Sequence, residues 1–264
     1  MLFKKELLLK AINASISGGH AIMEIYNSDF SVEYKEDNSP LTLADKNCNA
    51  IIEKELKETV IPIISEEGAK IPYKKRKHWE YCWIVDPLDG TKEFVKRNGE
   101  FTVNIALIHN GSPIMGVIFV PEKEKLYYSL EGLGSFKVIT NTLVDNLDSL
   151  IIKSTSLPIR SEKKRYTMVG SRSHMSNKTE EFFNLKKSKY PDIDIIIIGS
   201  SLKLCMVAEG KADSYPRYAP TMEWDTAAGH AIVKTAGFSV LQYNTNKEVV
   251  YNKENLLNPW FLVE

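Results

Sequence analysis

The sequence predicts a mixed fold of the α/β (α+β) class, on three observations. Two N-terminal segments carry apolar residues at helical spacing, a central block alternates with period two, and the last third alternates strand-like with helix-like runs. With 264 residues and 43% apolar content, the chain has room for one large domain or two ordinary ones with packed cores.

The elements follow in order. Leu7, Ile12, Ile16, Ile22 and Ile25 predict a helix over residues 4–27, and Cys48, Ile51, Ile52 and Leu56 predict another over 42–59, with Thr42 and Asp45 near its start. Between them, Val32 and Tyr34 in a charged setting predict a short strand or hairpin. Residues 81–85 read as a buried strand that stops at Asp86, because Pro87 and Gly90 turn the chain there. A short helix is expected from Thr91. Phe101, Val103, Ile105 and Leu107 then alternate as a strand, Asn110-Gly111 is a hairpin turn signal, and residues 115–120 return. Residues 126–129 and 135–139 extend this antiparallel set. The aperiodic stretch 141–149 is the expected boundary between an N-terminal α+β domain, 1–145, and a C-terminal α/β domain, 146–264. In the second, strand-like runs at 166–170 and 193–198 alternate with helix-like runs at 176–190, 202–209 and 226–236.

Composition excludes several classes of function. The 34 basic and 34 acidic residues balance, so no global field recruits nucleic acid or an anionic membrane. The run Lys74-Lys75-Arg76-Lys77 reads as a solvated loop. Three cysteines, Cys48, Cys82 and Cys205, are an odd count without metal-type spacing and read as reduced core residues of a cytosolic protein. The N-terminal apolar stretch is too short for a signal peptide, and no window approaches the length of a membrane span.

Chemistry concentrates at three places. In Trp83-Ile-Val-Asp-Pro-Leu-Asp-Gly-Thr-Lys-Glu-Phe94 an apolar run ends in Asp86 and Asp89, two carboxylates that share one small volume. Like charges so close stay ionised only beside a cation, and magnesium prefers such oxygen ligands. Glu66-Glu67 ends a second apolar run, and Asp225 reads as a helix N-cap after a proline-containing loop. Carboxylates gathered from distant segments suit a magnesium site that handles phosphate.

Asp45, Glu66-Glu67, Asp86-Pro-Leu-Asp-Gly-Thr91 and Trp224-Asp-Thr-Ala-Ala-Gly229 together resemble the signature of the lithium-sensitive, magnesium-dependent phosphatases of the inositol monophosphatase superfamily. The strings Asp86 to Phe94, Arg97 to Ile108 and Glu223 to Ala231 are similar to those of the bacterial 3'(2'),5'-bisphosphate nucleotidases of the CysQ type. The resemblance runs from about Pro40 to the Leu257-Asn-Pro-Trp-Phe261 tail. It implies an alternating α-β-α-β-α layered sandwich and hydrolysis of the 3'-phosphate of adenosine 3',5'-bisphosphate to AMP, a task of sulfate assimilation. It implies two or three magnesium ions held by Glu66, Asp86, the Leu88 carbonyl, Asp89 and Asp225. Thr91, Asp45 and Glu66 would be catalytic, with Thr91 activating a water and Asp45 accepting the Thr91 hydroxyl. Glu67 is left outside that set.

Substrate contacts implied are Glu66, Leu88, Asp89, Asp225 and the backbone of Gly90 and Thr91 for the phosphate, with Ser171, His174, Gly199 and Lys203 for the rest of the nucleotide. Ser171 and His174 follow one predicted strand and Gly199 and Lys203 another, and strand ends in α/β sheets hold ligands. His230 suits the site or helix packing equally; His20, His78 and His109 have no metal spacing. The alternative is an inositol or sugar phosphatase with the same metal site, against which Lys92-Glu93-Phe94, Ser171 to His174 and Lys203 argue. A different class, a family member kept as an RNA or RNA-polymerase partner, sits poorly with balanced charge and a full ligand set. A soluble cytoplasmic monomer or homodimer without an integral membrane segment is expected, and relatives of this kind associate with the inner membrane face.

Overall fold

The computed structural model describes residues 2–34, 40–159, 165–171 and 176–264. The first helix, α1 (Leu2–Tyr26), turns Leu8, Ile12, Ile16 and Ile22 inward, and a hairpin of β1 (Glu33–Tyr34) and β2 (Pro40–Leu41) leads to α2 (Leu43–Lys57). The two helices lie close because Gly18 has no side chain: a Cβ there would stand 2.6 Å from the Cys48 sulfur. Thr42 caps α2, its hydroxyl accepting from the Ala44 amide at 3.2 Å.

A seven-stranded sheet follows in chain order: β3 (Ile63–Ser65), then past the short α3 (Tyr73–Arg76) to β4 (Tyr81–Asp89), then past α4 (Thr91–Val95) to β5 (Thr102–His109) and β6 (Ser112–Val120). It continues through β7 (Lys125–Leu130) and β8 (Gly134–Ile139) and, after α5 (Leu147–Lys153), closes on β9 (Thr155–Ser156). Within this sheet β3 and β4 pair in parallel and the other neighbours are antiparallel. The predicted alternation of Val103, Ile105 and Leu107 is one face of β5, packed with α1 and α2; Ala106 and Ile108 on the other face are buried as well. Period two here separates two cores rather than core from water.

The second half begins with a βαβ unit in which β10 (Tyr166–Ser171) pairs in parallel with β11 (Ile193–Ile198) across α6 (Asn177–Lys189). Next come α7 (Leu202–Ala208), β12 (Tyr215–Arg217), α8 (Glu223–Thr235), β13 (Val240–Gln242) and β14 (Phe261–Val263), with β14 between β12 and β13 in a small antiparallel sheet. A bridge between Met168 and Ser214 joins β10 to this sheet. Helices α7 and α8 cover the second face of the large sheet, and α8 approaches β6 so closely that a Cβ on Gly116 would lie 2.2 Å from the Ala228 carbonyl. Outward from α1 and α2, the order is helix, sheet, helix, sheet, helix: the layered sandwich expected.

Two local expectations change. The strand through residues 81–85 does not end at Asp86: β4 runs to Asp89, with an irregularity between Asp86, opposite Asn104, and Asp89, opposite Thr102. Proline cannot donate to the ladder, so the strand bulges around Pro87 and resumes. The basic run 74–77 is not wholly solvated either. Arg76 is 4% exposed, and its guanidinium donates to the Ile71, Lys253 and Glu254 carbonyls and to Asn252 Oδ1. Residues 140–146, where the proposed domain division falls, form neither helix nor strand; α5 beyond them packs Leu147 and Leu150 into the core under α1.

Candidate active site

The bulge of β4 sets the site. Asp86, 1% exposed, is held by the Leu88 amide, which donates to its Oδ1 at 3.1 Å. The chain then turns at Gly90 with φ 92°, where a Cβ would lie 3.0 Å from the Glu100 carbonyl, so glycine is required there. Thr91 opens α4 one residue after its N-cap. Its hydroxyl donates toward the Leu88 carbonyl at 3.2 Å or Asp45 Oδ1 at 3.3 Å. Asp45 is fixed by its other oxygen, Oδ2, which accepts from the Thr42 amide and hydroxyl, both at 2.7 Å. Burial, only partly offset by these bonds, raises the Asp45 pKa above the ordinary carboxylate value.

Glu66 at the end of β3, Asp86 and Asp89 from β4 and Asp225 from α8 all line one cleft of about 410 Å³. Burial first, and then the charges of Glu66, Asp89 and Asp225, raise the Asp86 pKa well above the carboxylate range. Asp225 is pushed up to about 8, by burial and then by Asp89. Repulsion and burial outweigh the nearby Arg217 charge at Asp225, and the oxygen-only chemistry of these carboxylates, with the Leu88 carbonyl beside them, fits a hard divalent cation. As they stand, no three of these side chains among the described residues converge on one point at ligand spacing. Each instead leans on a protein donor: Asp86 on the Leu88 amide, Asp89 on Ser201, Asp225 on the Met222 amide at 2.9 Å. That last bond corrects the sequence reading of Asp225. It is the third residue of α8, and its carboxylate reaches back to the N-cap residue Met222 instead of being the cap.

Two positioning groups were not singled out in the sequence reading, although both lie in segments that it names. Ser201 donates to Asp89 Oδ2 at 2.6 Å and itself accepts from Asn104 Nδ2 at 2.7 Å, tying α7 and β5 to the cleft carboxylates. Asn104 stands opposite Asp86 in the register of β4 with β5, a pairing that only the sheet establishes.

Ser171, Gly199 and Lys203 border the same cleft, while His174 lies outside the described residues. Gly199 packs against Glu93 and Glu100, and its amide donates to Glu100 Oε2 at 2.8 Å. Lys203 is 7% exposed, donates to the Ser200 carbonyl at 2.5 Å, and sits 5.8 Å from the Tyr215 ring centroid. Burial lowers its pKa to about 8 against the pull of Asp89. Facing it from β12 is Arg217, 7% exposed, which the sequence reading missed. Its Nη2 donates to the Pro220 carbonyl at 2.7 Å, but its Nε, like the Ser200 hydroxyl, is buried without a partner among the described residues. A lone arginine between tyrosines and prolines, in Tyr215-Pro-Arg-Tyr-Ala-Pro220, was the available signal. His230 does not line the cleft; it packs on Tyr251, Nδ1 3.0 Å from the phenol oxygen. His20 and His109 bond to the Asn141 carbonyl and Glu80 far from it.

A layered sandwich whose sheet ends and helix starts bring four carboxylates and a threonine into one cleft is the architecture of a phosphatase, and the comparisons agree. The sequence matches the inositol monophosphatase family over residues 4–260, and the chain belongs to that family. It is 39% identical over 251 residues to the 3'(2'),5'-bisphosphate nucleotidase CysQ of Salmonella typhimurium, covering 94% of this chain and 95% of that protein. The CysQ of Buchnera aphidicola is 42% identical over 247 residues, covering 89% of this chain and 84% of its own length. The crystal structure of CysQ from Bacteroides thetaiotaomicron, described as a bacterial member of the inositol monophosphatase family, superposes with a TM-score of 0.94 at 48% identity, covering 100% of this chain and 98% of that one.

Proposed function

We propose that this chain hydrolyses the 3'-phosphate of adenosine 3',5'-bisphosphate to give AMP and phosphate. It is a 3'(2'),5'-bisphosphate nucleotidase, a hydrolase of the phosphomonoester class. The observation that carries the substrate is the pairing of two poles in one cleft. The carboxylates suit a cation-bound reacting phosphate, and the buried Lys203 and Arg217 offer charge to a second phosphate that stays intact.

Glu66, Asp86, the Leu88 carbonyl, Asp89 and Asp225 would hold two or three magnesium ions, which supply charge neutralisation and water acidic enough to attack near neutral pH. Ser201 and Asn104 keep Asp89 turned toward the cleft. Thr91 donates its own proton to Asp45 Oδ1, so a lone pair on its oxygen is free to accept from the attacking water. As the water loses its proton to Thr91 Oγ1, Thr91 can pass its own to Asp45, whose burial makes it a better base than an exposed aspartate. The backbone N–H groups of Gly90 and Thr91 would take phosphate oxygens as α4 begins. Ser171, together with the Ser200 hydroxyl and Arg217 Nε, which have no partner among the described residues, would meet the remainder of the nucleotide.

Among the described residues no helix is long and apolar enough to cross a membrane. A cytoplasmic monomer or homodimer, acting in the disposal of this nucleotide during sulfate assimilation, is our reading of its setting.

The test is purified protein assayed side by side on adenosine 3',5'-bisphosphate and inositol 1-phosphate, with magnesium titrated and lithium added. The bisphosphate is expected to be preferred, with activity lost in EDTA, restored by magnesium and inhibited by lithium. Inositol phosphate as the better substrate would shift the reading to a sugar phosphatase, and full activity in EDTA would remove the metal assignment.

A further inference from the structure

A second cavity, larger than the catalytic cleft, lies away from it. It is a groove of about 830 Å³ beside the far edge of the large sheet, where β8 runs on past the two residues it pairs with β9. Such a volume suits a nucleotide-sized ligand, since small-molecule sites span roughly 300–1,000 Å³. Its lining includes Lys125, Lys137 and Lys153, the apolar Val138 and Leu143, and the acidic Asp145.

Of these three lysines, Lys137 is paired with a carboxylate, that of Glu209. Glu209, the buried acid nearest them, is already committed: Oε1 accepts from the Tyr127 hydroxyl at 2.5 Å, and Oε2 accepts from Lys137 at 2.5 Å and Lys211 at 2.9 Å. Lys125 and Lys153 have no hydrogen-bond or carboxylate partner among the described residues. Lys125 is partly enclosed, and burial lowers its pKa; Glu209 opposes this, and the nearby charges of Lys211, Lys137 and Lys123 add to it. A half-buried ammonium among other ammonium groups is unfavourable unless an anion joins it.

We propose that this groove is a second anion site, binding the phosphate groups of a nucleotide-sized phosphorylated small molecule at its lysines and the apolar part against Val138 and Leu143. Nothing in the proposal depends on the catalytic reading.

The probe is ADP, with adenosine as the phosphate-free control, titrated calorimetrically in EDTA. The catalytic cleft is silenced by Lys203→Ala with Arg217→Ala, and the groove is then altered in that background by Lys125→Gln with Lys153→Gln. The expected result is one ADP bound per chain in the cleft-silenced protein, weakened about tenfold or more by loss of the groove lysines, with no adenosine binding. In wild-type protein, where folding is not in question, ADP should shift the NMR amide signals of residues 140–146. Lys125→Gln with Lys153→Gln should abolish those shifts and leave nucleotidase activity unchanged. Absence of shifts at residues 140–146, ADP affinity indifferent to the groove lysines, or adenosine bound as well as ADP would each overturn the proposal.

Discussion

Thr91 shows how a single hydroxyl is distinguished by its surroundings. As a helix cap it would bond to an amide of the next turn; instead Gly90 is the cap residue and the hydroxyl faces Asp45 Oδ1 and the Leu88 carbonyl. Thr91→Ala should therefore lower kcat by about 10²–10⁴ while shifting Tm little, since a positioned proton acceptor is worth that much in rate. Steady-state kinetics and a melting curve on the same sample decide it; a small rate loss with a large Tm loss would return Thr91 to a structural role. Lys203 gives a pH prediction. With its pKa lowered to about 8 by burial, it loses its charge above that pH, so kcat/KM for the bisphosphate should fall there. In Lys203→Met that part of the profile should be flat, KM should rise about tenfold or more, and a small phosphomonoester should be turned over nearly as before. Stability moves the other way. An unfolded lysine keeps its proton to an ordinary 10.5, so the unfolded chain binds more protons between about pH 8 and 10.5, and stability rises with pH across that window.

At the scale of elements, the site depends on how α7 and α8 are held at their ends. Glu223, the first residue of α8, is fully buried and accepts from the Asn252 amide at 2.5 Å and from the Lys253 amide at 3.0 Å and side chain at 2.5 Å. That loop is in turn gripped by Arg76 from α3. A residue that looked like part of a solvated charge run thus anchors the start of the helix that carries Asp225. Arg76→Met would leave four part-buried acceptors without this donor and should cost roughly 1–3 kcal/mol. The urea midpoint should fall with an unchanged m-value. An unaltered midpoint would show that the clamp contributes nothing. At the other end of α7, Glu209 accepts from Tyr127, Lys137 and Lys211, fixing the helix whose N-terminal flank supplies Ser201 and Lys203.

At the scale of the molecule, the layers bury groups that must stay neutral. His230 lies in the middle helical layer, fully buried on Tyr251, and burial, then the charge of Lys234, pushes its pKa down to about 3. The unfolded histidine titrates near 6.5, so between those values the unfolded state binds more protons and stability falls as pH drops. Urea denaturation in EDTA at pH 7 and pH 5 should show this loss, and His230→Gln should show less of it. An identical loss in the variant would place the acid sensitivity elsewhere.

The sequence by itself determined the elements and much of the chemistry. Helical spacing around Ile12 and Cys48, the alternation through Val103 to Leu107, and the carboxylates at Glu66, Asp86, Asp89 and Asp225 were all legible, because each rests on local periodicity or on charges forced together over a few residues. The tertiary structure decided what is opposite what. Asn104 reaches Asp89 through strand register, Ser201 and Arg217 reach the cleft through helix and sheet packing, and the bulge at Pro87 keeps Asp89 in the ladder that the proline was expected to end. These contacts join residues far apart in the chain, as Arg76 does with Asn252 and Asp45 with Thr91. A pattern read along the chain records propensity within a few residues. Which distant side chains meet is fixed only when two cores, one on each face of the large sheet, are packed at the same time.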